Sequence, residues 1–216
     1  MMSASSSVKN AKKAGEIASI LAAIFGEIPW WPGDTDEVMI GAILTQQTWW
    51  ENVEQALRLL REKDLCTLAA IVAAEPDRIE AAIRCTGFYR MKTRRLKALA
   101  AYATGPCGGV EAMETMPTEV LRAGLLGVNG IGEETADSIL CYGFGRASFV
   151  IDAYTDRISR CAGIAAPRCG LKDLFESVLE KDQYVYRQTH AHIVEYAKGW
   201  CTKKRCEGCR ITALNG

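Results

Sequence analysis

Apolar residues recur at three- and four-residue spacing along most of this 216-residue chain, and no segment alternates convincingly between apolar and polar residues as a half-buried strand would. That periodicity restricts the chain to an all-α fold. Helices are expected over 14–25, 36–44, 50–62, 76–84, 91–102, 117–125, 133–144, 153–161, 171–179 and 184–200. Loops are expected at 32–34 and 104–109, where proline and glycine cluster. Pro117 suits the first turn of a helix, where its missing N–H is no loss. The chain has no internal repeat, and it is long enough to bury one or two cores.

Within this pattern, Leu126-Gly-Val-Asn-Gly-Ile-Gly-Glu-Glu-Thr-Ala136 opens directly into a helix. Gly130 and Gly132 flank Ile131. Glycine adopts positive φ without penalty and lets another backbone come close. The unpaired N–H groups and the dipole of the helix that follows favour an anion. Val128 and Ile131 are expected to point inward and anchor the turn. Thr135, Ala136 and Ser138 are small enough for close packing. By itself a Gly-x-Gly turn also suits a plain joint between two core helices. Further on, Asp152 precedes the helix expected at 153–161. Aspartate is a favoured N-cap, and a capping carboxylate still has a second oxygen to present to a substrate.

Formal net charge is zero, with 26 Lys and Arg against 26 Asp and Glu. The distribution is uneven. Arg84, Arg90, Lys92, Arg94, Arg95 and Lys97 form one basic run, and Lys198, Lys203, Lys204, Arg205 and Arg210 another. Each run reads either as a solvated face or as a phosphate-contact surface. No run is apolar enough for a membrane helix. Residues 1–10 are Ser-rich without an apolar core, so they read as a disordered tail rather than a secretory signal. Nine cysteines, an odd number, do not suggest a disulfide scaffold. A cytoplasmic, nucleoid-associated monomer is the expectation.

The hairpin and Asp152 resemble the helix-hairpin-helix and aspartate signature of the endonuclease III superfamily of DNA glycosylases. Trp30-Trp-Pro-Gly33, Gly41-Ala-Ile-Leu-Thr-Gln-Gln-Thr48, Gly87-Phe-Tyr-Arg-Met-Lys92 and His190-Ala-His-Ile-Val-Glu195 follow the family's order and spacing. The resemblance covers roughly residues 15–209. It departs in the Gly-Pro-rich loop, which is degenerate, and in Asn129 before the hairpin glycine. It implies a two-lobed helical fold, with one lobe over 36–147 and the other combining 11–35 with 148–216.

It also implies a reaction. A glycosylase takes a base out of the stack and breaks its bond to the sugar through a cationic sugar. Asp152 is the expected catalytic carboxylate, stabilising that charge and orienting or deprotonating a water. Strand-nicking relatives carry a lysine on the hairpin helix where this chain has Glu134. A carboxylate cannot form a Schiff base, so a monofunctional glycosylase is implied. Glu134 itself reads either as a second acid of the pocket or as an exposed residue that suits the helix dipole. Gln46, Gln47, Lys92, Gly130, Gly132 and Thr135 are the candidate DNA contacts, with Gln47 the better candidate for a wedge. The alternative for the glutamines is a solvent-facing helix end.

Four of the five tryptophans lie at 30, 31, 49 and 50. Neighbours on a helix point about 100° apart, so one of each pair is free to reach a base while the other is core. Aromatics matching Trp30 and Trp50 sandwich the base in the bacterial 3-methyladenine glycosylases that this chain resembles. Alkylated purines such as 3-methyladenine are therefore the expected lesion in double-stranded DNA. The alternatives are a mismatch thymine or uracil enzyme, an oxidised-base enzyme, and a non-catalytic DNA-binding module.

Cys201, Cys206 and Cys209 sit where many relatives hold a [4Fe-4S] cluster, which normally takes four thiolates. No fourth cysteine follows, so the ligand set is incomplete. The alternatives are Cys161 or Cys169 folding back as a fourth ligand, zinc on three Cys and a His, and a decayed site.

Overall fold

The computed structural model describes residues 4–29, 33–203 and 205–215. Among them the regular elements are helical, and no strand occurs. The chain divides into two compact units, one of residues 32–145 and one that joins 1–31 to 146–216.

The unit of residues 32–145 is built around α2 (Thr35–Leu44). This helix is apolar on nearly every side, the pattern of a helix enclosed by others. Met39, Ile40, Ile43 and Leu44 are completely buried. Asp34 caps it by accepting from the Glu37 amide at 2.9 Å. Around it lie α3 (Trp50–Glu62), α4 (Leu68–Ala73), α5 (Pro76–Ile83), α6 (Tyr89–Thr104), α7 (Val110–Thr115), α8 (Thr118–Leu126) and α9 (Glu133–Ser138). A π-helical turn, Ile139–Gly143, continues α9 and packs on α2. Burying a Leu or Ile side chain contributes about 1.5–3 kcal/mol, so this apolar cluster dominates the unit. Glu37 is buried as well, and its carboxylate is paired with Arg61 of α3, whose Nε donates at 2.5 Å.

The other unit is built from α1 (Ala4–Phe25), α10 (Ala153–Cys161), α11 (Arg168–Val178) and α12 (Gln183–Gly199). α1 packs on α11 and α12, and α10 packs on α12. Its core holds Ile17, Leu21, Leu171 and Ile193, with Phe149 stacked on Phe175 at 4.9 Å and edge-on to Tyr186 at 5.6 Å.

Three expectations change. The segment 1–10, read as a disordered tail, is helical from Ala4 onward, and Asn10 is buried. Its serines hid a first helical turn that continues into an amphipathic helix. The helix expected over 133–144 is six α-helical residues followed by the π turn. Pro117 caps α8 rather than lying inside it.

Candidate functional site

Hairpin geometry follows from its glycines, but the two act differently. Gly130 has φ +90°, in the left-handed region that favours glycine. A Cβ there would fall 2.4 Å from Cγ of Arg95, whose side chain lies across the turn. Gly132 is extended, and a Cβ on it would meet nothing within 4 Å, so this glycine leaves open space before α9. Val128 and Ile131 are both buried, and the Ile131 amide donates to the Val128 carbonyl at 3.1 Å. The arms α8 and α9 are joined by Arg122, which donates to both carboxylate oxygens of Asp137 at 2.8 and 3.1 Å.

Between α2 and α3, the two glutamines part. Gln46 faces the protein. Its Nε2 donates to the Gly130 carbonyl at 3.1 Å and to Thr135 Oγ1 at 3.0 Å, while its Oε1 accepts from Arg95. Gln46 thus fastens this turn to the hairpin. Gln47 is exposed, with φ +54°, uncommon for a residue with a side chain. Thr135 is buried with its hydroxyl on Gln46, so its expected role as a surface DNA contact gives way to one inside the hairpin.

Lys92 is likewise corrected as a surface contact. It is 1% exposed. Its Nζ donates to the Leu44 carbonyl at 2.8 Å, to the Thr86 carbonyl at 3.0 Å and to Thr48 Oγ1. These bonds use all three ammonium protons. Burial, aided by the Arg95 charge, pulls Lys92 down to about 8. Lys97 of the same basic run donates to the carbonyls of Val72 and Ala74. Arg84 and Arg90 lie over the Tyr89 ring, and Arg84, Arg90 and Arg94 are exposed. Half the run is therefore structural. The sequence could not show this, because inward and outward cations share one helical spacing.

Phe88 carries no expected role from sequence. It stands just before α6 with φ +46° and is 62% exposed. A bulky aromatic held left-handed in solvent is a conformational outlier. Trp49 is 61% exposed ahead of α3, and Trp50, the first residue of α3, is half-buried. Trp30 lies outside the described residues. Glu134 is exposed in the first turn of α9.

In the other unit, Asp152 caps α10. Its Oδ1 accepts from the Thr155 amide at 2.7 Å and from the Thr155 hydroxyl at 2.8 Å. Its Oδ2 stands 3.5 Å from Nε2 of His190 in α12, an ion-pair distance at the outer limit of a hydrogen bond. Only 13% of the Asp152 side chain is exposed. Burial pushes the carboxyl up, but the charge of a protonated His190 and the bonds from Thr155 outweigh it and hold the group below its ordinary value. The chain has two histidines. The other, His192, is tied to the Gly26 carbonyl at 2.6 Å and stacks on Phe25. His190 was legible as part of a motif but not as the partner of Asp152, since a helix and a cap so far apart in sequence meet only in the fold.

The expected cluster ligands are Cys201, Cys206 and Cys209. Among the described residues no three His, Cys, Asp or Glu side chains stand close enough to hold a metal ion. Cys209 is buried, with its sulfur 3.3 Å from the Tyr196 hydroxyl. Burial raises the Cys161 thiol, and the nearby charges of Cys209 and Cys206 raise it further, so Cys161 belongs to the same neighbourhood. Among the described residues these thiols share a neighbourhood but do not stand at ligating distances for an iron–sulfur cluster.

Residues 40–181 match the family profile described as HhH-GPD superfamily base excision DNA repair protein. A Methanocaldococcus jannaschii protein provisionally named a DNA repair glycosylase is 42% identical over 203 residues, covering 91% of this chain and 92% of its own. The structure of Helicobacter pylori 3-methyladenine DNA glycosylase bound to 1,N6-ethenoadenine superposes with a TM-score of 0.75 at 28% identity, covering 86% of this chain and 97% of that one. A trapped endonuclease III–DNA covalent intermediate gives a TM-score of 0.80 at 20% identity over 99% and 96% of the two chains, a likeness of fold.

Proposed function

This chain belongs to the HhH-GPD superfamily of base excision DNA repair proteins, and we propose that it is a monofunctional DNA N-glycosylase that removes a damaged base by hydrolysis. The observation that carries the reading is Asp152, largely buried, kept ionised beside His190 and oriented by Thr155. A bare cap needs one oxygen. Here the second lies 3.5 Å from an imidazole, so both oxygens of the carboxylate are held in place.

In this reading the bond between base and sugar breaks, and its electron pair leaves with the base. The Asp152 carboxylate stabilises the cationic sugar and accepts a proton from the water that adds to it. Glu134 supports hydrolysis over strand nicking, because the hairpin helix offers no amine at that position. The hairpin, with Gly130 and the open space at Gly132, is assigned to phosphate contact. Gln47 and Phe88, both exposed and left-handed, are assigned to the duplex as wedges that fill the space left by the extruded base. Trp50 is assigned to base stacking, which contributes about 1–3 kcal/mol per base, together with Trp30.

An alkylated purine is the proposed lesion, supported by the likeness to the 3-methyladenine glycosylase and by the tryptophans. A cationic base gains from an aromatic face. The test is a panel of duplexes carrying alkylated, mismatched, deaminated or oxidised bases, with released base measured by chromatography. Release of alkylated purine, with the strand intact and no adduct trapped by borohydride, is the expected result. A trapped adduct sinks the hydrolytic assignment, and release of none of these bases sinks the glycosylase itself.

A further inference from the structure

We propose that Lys92 is a positioning residue for DNA distortion: its buried ammonium clamps the Gln46–Gln47 turn to the Thr86–Phe88 turn, so that Gln47 and Phe88 meet the duplex as a fixed pair. The inference rests on the proposed base-extruding activity and adds to it the device that sets the wedges. Its basis is a set of bonds converging on one nitrogen. Nζ reaches the Leu44 carbonyl where α2 ends, the Thr48 hydroxyl just after Gln47, and the Thr86 carbonyl two residues before Phe88. Thr48 Oγ1 itself donates to the Thr86 carbonyl at 2.7 Å, so the two turns are bridged twice at one point.

The described residues include three positive-φ positions other than glycine, and two of them, Gln47 and Phe88, flank this point. Left-handed side-chain residues persist where surrounding bonds over-determine them. Neither has a buried side chain. The clamp is therefore buried while what it holds faces solvent, the arrangement expected if the held residues act on something outside the protein. The charged and titratable neighbours are Arg95 of α6, which disfavours the ammonium, and Cys85 of the turn before it, which favours it.

The test uses the full-length protein and a duplex with an abasic-site analogue opposite 2-aminopurine, so that no lesion need be known. Affinity for this duplex is compared with affinity for an intact one. Side-chain insertion is read by 2-aminopurine fluorescence. Lys92→Met is expected to lower the abasic-over-intact ratio about tenfold, a modest fraction of the few kcal/mol that extrusion involves, with intact-duplex affinity unchanged. Lys92→Arg is expected to recover part of it.

In the wild type the fluorescence response should fall as pH rises through about 8, where Lys92 loses its proton, and the Arg variant should not show that fall. The folded value lies below the ordinary lysine value, so losing the proton does not reduce Lys92's own contribution to stability. A purely structural lysine would give no such fall in a protein that stays folded. Should Lys92→Met not fold, Thr48→Val removes one arm of the clamp and is expected to lower the ratio by a smaller factor. Wild-type discrimination retained in Lys92→Met, or in Thr48→Val if the first does not fold, overturns the clamp. A wild type that does not discriminate overturns the base-extrusion reading with it.

Discussion

The two oxygens of Asp152 have different partners. Oδ1 holds the first turn of α10, and Oδ2 faces His190. Asparagine also caps well, so Asp152→Asn is expected to keep α10 capped and the protein folded, with the melting temperature lowered only by loss of the ionised group's pairing with His190. Base release should fall about a thousandfold, within the range for a positioned acid–base group. Turnover within a factor of two of wild type would remove Asp152 from the mechanism. Because its folded pKa is depressed, the ionised group contributes stability above the ordinary carboxylate range, and this is lost as pH falls through the lowered folded value. Base release should accordingly show no step from Asp152 between pH 5 and 8, as a rate profile of wild type against the Asn variant would show. The acid was legible in sequence because a cap announces itself by its place before a helix. His190 was not, because nothing local distinguishes it from His192. Gly130 fixes the hairpin turn of the unit of residues 32–145. Gly130→Ala would face both a strained φ and the Arg95 side chain. A loss of about 1–3 kcal/mol is expected, read from the urea midpoint, and a midpoint equal to wild type would show that the turn relaxes freely.

The helix-hairpin-helix is an element with its own internal tie. Arg122 on α8 and Asp137 on α9 hold the arms together across the turn, with the Asp137 side chain 3% exposed and that of Arg122 28% exposed. Removing one partner of a buried pair costs about 3–5 kcal/mol, and the part-exposure of Arg122 lowers this to about 2 kcal/mol. Arg122→Ala is expected to lose that much in urea unfolding, with an unchanged slope, and to weaken binding to any duplex because the hairpin splays. Stability equal to wild type would show that apolar packing alone holds the arms. Long helices with a clear apolar stripe were readable from sequence, α3 and α10 to their end residues. α4 and α7, six residues each, were not expected, since so short a helix shows little more than one turn of pattern. The π turn after α9 escaped for a different reason: Ile139-Leu-Cys141 is as apolar as an ordinary helix end, and nothing in its residue types marks the widened turn that packs on α2.

For the whole molecule, zero net charge sets a puzzle for a DNA-binding protein. Long-range attraction has to come from local clusters, and the fold withdraws part of one. Lys92 is buried, Arg95 lies across Gly130 onto Gln46, and Lys97 is bonded to carbonyls. Arg84, Arg90 and Arg94 remain exposed in the unit of residues 32–145, and Lys203, Arg205 and Arg210 in the other. If the three arginines and the hairpin carry the phosphate contacts, binding should depend on salt with a log–log slope of about −3, shallower than the run of six basic residues implies. Substituting Gln for Arg94 should bring the slope about one unit closer to zero and weaken binding equally for damaged and intact duplexes, as a phosphate contact does. Lys92→Met should leave the slope alone while changing the preference for damage. Fluorescence anisotropy across a salt series separates the two. A slope that drops with Lys92→Met and not with Arg94→Gln would reverse the assignment of which cation faces DNA.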